Sequence, residues 1–422
     1  MPKRGDSVTI PAGVLIVLDM SPPLLVKLEI KGTLIAWNRR STDVVLHAMY
    51  LHITTEGRLM AGSPGDPFLG RFAIHLSGED TLPPKSFCGL GSKSLCVDGL
   101  LSLVGPTPNR AWTRLNQTAD ANSSTLTTEE QVDWKDGDAI VVASSTYDEA
   151  HAETLSVSSV TNFGWLGSGA PTQLLTQTPL AFRHFAGTET HAGRQVKMAS
   201  EVAVLNRSIE IIGVDLFATD FNFKPGGKAF GWRARIKGEA WLIGVRMVGG
   251  GLFRSPKIYT PTLHLQGTKG SVVRSCTFEK MIAQPIRING ERSVVDANVI
   301  LNSVMSAIMI MNGDRVHVTN NLVLSTHCMS FCAGCCGKWN VNVGNFDIIG
   351  KADTLTFTGN TAAGGVHGIR IVTEPPAIFA DNVVHSQQFA VTLNLDGQWA
   401  GCKPIVLKNL VLWRNWDFGI CA

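Results

Sequence analysis

Residues 260–267 read TPTLHLQG. Alternation along a strand places Leu263 and Leu265 on one face and His264 and Gln266 on the other. Two titratable side chains at i and i+2 on such a face would make an acid/base or metal pair. Here the second position is Gln266, which carries no titratable proton and is a poor metal ligand. His264 is the one titratable group of this polar face, and its plainer reading is a hydrogen-bonded residue on a sheet face. A second carboxylate-rich stretch holds Asp148, Glu149 and Glu153 around His151. Asp148 and Glu153 could serve glycoside hydrolysis if they stood ~5–9 Å apart. Asp133, Asp136 and Asp138 offer hard oxygen donors suited to Ca2+. Turn formation explains both acidic groups more simply.

Residues 224–257 contain Lys224, Lys228, Arg233, Arg235, Lys237, Arg246, Arg254 and Lys257, with Glu239 the one acid among them. A local excess of cations in a chain of net charge +3 attracts an acidic polymer such as a uronate-containing glycan. Arg233 and Arg235 alternate onto one strand face, and guanidinium suits bidentate carboxylate contact. Arg233, Arg235, Lys237, Arg246 and Arg254 are the expected glycan-binding residues. A solvated face with scattered partners is the alternative. No aromatic interleaving or nucleic-acid motif accompanies the stretch, so nucleic acid is not an expected partner.

The chain has 422 residues, 44% hydrophobic and 17% charged, with 42 Gly and 9 Cys. It is long enough for a large core. No uninterrupted apolar run is long enough to span a membrane as a helix. Asn116, Asn122 and Asn206 stand in N-glycosylation sequons. With the cysteines they favour an extracellular or cell-surface chain. Cys88 and Cys96 could close the FCGLGSKSLC loop. Cys328, Cys332, Cys335 and Cys336 form a second cluster, read as structural disulfides rather than a zinc knuckle, with connectivity left open.

Almost no stretch has helical spacing. Short Val/Ile/Leu-rich runs end at Gly, Asn or Asp, which is an all-β pattern. In the second half the runs VVDANVILNS, HVTNNLVLST, FTGNTAAGG, FADNVVHSQ and VLKNLVLWRN each set an Asn after a short apolar strand. These are Asn298, Asn321, Asn360, Asn382 and Asn409, with Cys276 at the same phase one unit earlier. A period near 22, with a few insertions, fits one coil of a β-solenoid. Each Asn is expected at a sharp corner in the left-handed conformation, its amide hydrogen-bonded up the stack. The chain starts and stops in mid-repeat, so the expectation is a segment truncated at both ends, with any signal or anchor outside it.

The first half resembles a known family. The run GDSVTIPAGVLIVLDMSPPLLVKLEIKGTLIAW is followed by LHAMYLHITTEGRLMAGSPGDPF, FAIHLSG, LSLVGPTPNRAWTRLNQTA and VDWKDGDAIVVASSTYDEAHAETLSVSSV. Together they resemble the G8 domain of fibrocystin, fibrocystin-like proteins and the cell-migration-inducing and transmembrane-protein-2 hyaluronidases. WKDGDAIVVASSTYD is the most specific piece. The resemblance implies a G8 β domain at 1–165, a connecting segment at 166–200 and a right-handed, single-stranded parallel β-helix at 201–422. Two functions follow from it. One is a glycan- or protein-binding module of a larger fibrocystin-like chain. The other is a depolymerase of hyaluronan or a related acidic polysaccharide. The hyaluronidase relatives resemble one another in a YPIHFH-like strand and a VTIHG-like segment. The resemblance implies that His264 is a candidate catalytic residue, but this chain has Gln266 and Asn289 where those relatives carry histidines, which ranks binding above catalysis.

Overall fold

The computed structural model describes residues 2–79, 88–165, 168–214, 229–255, 258–267, 269–327, 343–393 and 404–421. Among them there is no α-helix, and one short 3-10 turn at Glu149–His151. Three columns of short parallel strands wind into a β-helix. The first column runs from Leu15–Leu18 through Thr33–Ala36, Arg58–Ala61, Leu100–Val104 and Glu239–Ile243 to Ile378–Ala380. The second includes Arg71–Leu76, Ile209–Gly213, Val245–Val248, Thr277–Met281, Val299–Val304 and Leu322–His327. The third includes Ser94–Val97, Arg233–Ile236, Leu263–Leu265, Ile286–Ile288 and Ile308–Asn312. Alternate residues of all three point inward and form one continuous apolar core, including Ile236, Leu263, Leu265, Ile286, Ile300 and Phe357.

The corners are columns as well. Ser275, Ala297, Asn320, Gly359, Asp381 and Asn409 succeed one another at the first corner, all with φ between 49° and 67°. Lys280, Asn302, Ser325, Gly364, Ser386 and Arg414 succeed one another at the second, with φ between 49° and 81°. Glycine has no Cβ penalty in this region, but most corner positions carry other residues. Stacking and cross-rung hydrogen bonds must therefore offset the local strain.

The amide ladder lies one residue after the first corner. Asn298 Oδ1 accepts from the Cys276 backbone N–H at 2.9 Å. Asn321 Oδ1 accepts from the Asn298 backbone at 3.1 Å and from its amide at 2.9 Å. Asn360 accepts likewise from Asn321, and Asn382 from Asn360. All four amides are fully buried. Two expectations need correction. None of these four has a positive φ; the preceding residue takes the left-handed turn and frees the Asn to point inward. Asn409 is not a rung of the ladder: it sits at the left-handed position, exposed, with its amide on Asp381 at 2.8 Å. Leu410 follows it where an amide would be needed.

The solenoid crosses the boundary drawn at 166–200. Arg71–Leu76 pairs in parallel with Ile209–Gly213, Ser94–Val97 with Arg233–Ile236, and Leu100–Val104 with Glu239–Ile243. The G8-like first hundred residues are thus the opening coils. Between them and the later coils an antiparallel six-stranded sheet is inserted, spanning Trp112–Arg114 to Glu201–Val204. It has its own core around Leu126, Val132, Trp134, Ile140 and Leu174. Its other side packs Ala111, Val141, Ala143, Ala203 and Leu205 against Val299, Leu301, Leu322, Leu324 and Ala363, which face outward from the second column.

Candidate functional site

The third column carries an outward polar row. In register, Arg235 lies between Cys96 and His264, and His264 between Arg235 and Arg287. Successive rungs of such a stack are about 4.8 Å apart. Core residues Ala234, Ile236, Leu263, Leu265, Ile286 and Ile288 fix this direction by pointing the other way. Arg235 Nη1 donates to Cys88 O at 2.6 Å, and Arg233 Nη2 to Ser92 O at 2.7 Å. A Cys88–Cys96 disulfide closes that loop over them. Arg233 is buried and lies 4.7 Å from the Phe230 ring. Arg287 donates to Gln284 Oε1 and lies 5.1 Å from the Tyr259 ring.

His264 is partly buried, and its Nε2 is 3.3 Å from the Gln266 amide nitrogen. Burial, then Arg287 and Arg235, lower its pKa to about 4. The imidazole is neutral at physiological pH, and both charges acting on it are positive. A group so placed can accept a hydrogen bond but cannot deliver a proton near neutrality. Gln266 and Asn289 fall on successive rungs at one position, beside exposed Lys237 one rung earlier. The two departures from the hyaluronidase pattern thus lie on one patch with His264.

The other candidates disperse. Arg246 is on the second column, paired with Glu279 at 2.6 Å and Glu210 at 2.9 Å, which raises its pKa. It is spent on those carboxylates rather than available to a glycan. The side chain of Arg254 and residues Lys224, Lys228 and Lys257 lie outside the described residues. Glu153 accepts from the Ala181 and Phe182 backbone at 2.7 and 2.9 Å and from His184 at 2.9 Å. Asp148 caps the 3-10 turn by accepting from Ala150 N, and His151 stacks on Phe182. These carboxylates hold turns of the inserted sheet together. Asp133 and Asp138 likewise accept from Asn109 and Lys135 backbone N–H groups. Among the described residues no group of three His, Cys, Asp or Glu is arranged to hold a metal. Asn116, Asn122 and Asn206 are exposed, although Asn206 Oδ1 also accepts from Ala139 N. Cys328, Cys332, Cys335 and Cys336 lie outside the described residues.

Sequence reading missed Arg287. The signal was present, because aligning coils on their buried strand residues puts Arg235, His264 and Arg287 in one column. It also missed the contact between the inserted sheet and the last coils. There Glu201 and His385, both fully buried, meet at 2.8 Å, and Trp413 stacks on the imidazole 4.1 Å away. The Arg114 guanidinium stands 3.5 Å from Glu201. His385 and Arg114 hold the Glu201 carboxyl below the usual range against the opposing effect of burial.

A solenoid whose first coils carry the glycine-punctuated pattern, interrupted by an antiparallel sheet, defines the class of fold: a parallel β-helix with an inserted sheet. Residues 1–116 match the G8 domain. Over its whole length the chain is 28% identical to human fibrocystin-L, of which it spans 10%. Half of it is 34% identical to mouse fibrocystin, covering 5% of that protein. A G8 domain-containing protein of Dictyostelium discoideum is 22% identical over 80% of this chain and 22% of its own length. The chain thus spans about a tenth of the fibrocystin-L it matches. Among solved structures, the Gp54 tailspike of Acinetobacter baumannii bacteriophage AP22 in complex with capsular saccharide aligns over 92% of this chain and 71% of its own. That match has 11% identity and a TM-score of 0.21. Among the described residues no helix is long and apolar enough to cross a membrane.

Proposed function

We propose that the chain is a binding module of a larger, fibrocystin-like extracellular or cell-surface protein, and that its third column takes an acidic glycan. The observation carrying this reading is the row Arg235, His264, Arg287 on consecutive rungs. Its imidazole is neutral, and among the described residues no ion pair engages its two arginines. An extended polyanion matches a row that repeats along the solenoid axis. The similarity to fibrocystin-like proteins supports membership of a larger chain. The disulfide and the exposed sequon asparagines support an oxidising, glycosylating compartment. Depolymerisation ranks second, since His264 lacks both a titratable partner and a pKa near neutrality.

The test is retention of the purified chain on immobilised hyaluronan as salt is raised. Arg235→Ala and Arg287→Ala are expected to weaken binding roughly tenfold each and to flatten its salt dependence. Unchanged retention removes the reading. Shortening of high-molecular-weight hyaluronan that disappears in His264→Ala would put the depolymerase first.

A further inference from the structure

A concave site lies away from the arginine row, where the inserted sheet meets the first corner of the solenoid. It encloses about 520 Å³. Trp112, Arg110 and Arg114 come from the inserted sheet and its approach; Ser275, Ala297 and Asn320 come from the corner of three successive coils. The corner residues repeat at the rung spacing, so the floor runs along the solenoid axis. Trp112 is fixed by its indole N–H, which donates to Asn320 O at 2.7 Å, and by packing against the apolar cluster beneath the sheet.

The charges here are balanced pair by pair. Arg110 meets Glu130 at 2.8 Å, Lys197 meets Glu129 at 2.6 Å, and Arg274 meets Asp296 at 3.1 Å. Arg114 stands over buried Glu201 at 3.5 Å. An ionic ligand would have to displace one of these partners and gain little. A neutral polyhydroxylated ligand can use the spare donors and acceptors of paired groups without separating them. The indole supplies an apolar plane, which suits the C–H face of a pyranose. We infer that this junction cleft binds a neutral saccharide chain, independently of the acidic glycan on the arginine row.

The test uses saturation-transfer NMR and calorimetry on the full chain with three uncharged probes: cellotetraose, chitotetraose and mannotetraose. At least one should bind, and raised salt should not weaken it, unlike binding to the arginine row. Arg110→Ala, at the exposed rim, and Trp112→Ala should each lower affinity roughly tenfold, with Trp112→Phe intermediate. Thermal melting of each variant establishes that it is folded, and Arg110→Ala carries the test if Trp112→Ala is not. No transfer to any probe would overturn the inference. So would equal affinity in folded Arg110→Ala, or binding that salt abolishes.

Discussion

Two outward faces of the same coils have opposite fates. On the second column, Val299, Leu301, Leu322 and Leu324 point away from the solenoid core and would be exposed in an isolated β-helix. The inserted sheet covers them and adds the buried Glu201–His385 pair. On the third column the matching positions are Arg235, His264 and Arg287, which remain partly open. The inward residues are alike on both faces. The difference teaches that the coil supplies a regular lattice of outward positions, and that function depends on what lies over each row.

The largest effect should come from the covered face. Removing one partner of a buried ion pair strands the other, at a cost of about 4 kcal/mol. Glu201→Ala should lose that much in urea unfolding followed by tryptophan fluorescence. The native chain should also weaken as acid is added. Because the folded Glu201 pKa lies below its unfolded value, near 4.3, its contribution is fully present above that pH. It is lost as pH falls through the folded value. Glu201→Ala should flatten this dependence in unfolding midpoints, and an identical pH profile would remove the pair from the account.

Next is packing. Leu322 is fully buried beneath the insert, and Leu322→Ala should cost about 3 kcal/mol. Arg287→Ala on the open face should change stability by less than about 1 kcal/mol. Equal losses in the same urea experiment would erase the contrast between the faces.

The smallest effect is a titration. His264 should show constant imidazole NMR shifts from neutral pH down to about pH 5 and then titrate near 4, the value to which burial and the two arginines lower it. Since the unfolded imidazole protonates first, near 6.5, this residue removes stability as pH falls from there toward 4. Titration near 6.5 in the folded chain would mean that the imidazole is neither buried nor flanked by the arginines.

Much of the solenoid was legible in the chain. The near-22-residue period, the Asn phase and the Cys276 equivalence follow from spacing alone, because each rung repeats the same steric problem. Asn409 shows the limit: its phase is off by one, and one residue separates a buried amide from an exposed left-handed corner. The candidate site was half legible. Arg235 and His264 were singled out, yet Arg287 was not, and Arg246 was grouped with them by sequence proximity although it faces Glu210 and Glu279 on another column.

By itself the sequence determined the all-β coil, its period and the ladder amides from Asn298 to Asn382, since these depend on local alternation and repeated turns. Only the tertiary structure decided that the G8 coils and the later coils are one stack, that an inserted sheet buries one outward face, and that two arginines flank His264. Those outcomes depend on register between strands tens of residues apart and on which surface a folded insert covers. Neither is encoded in the pattern of any single strand.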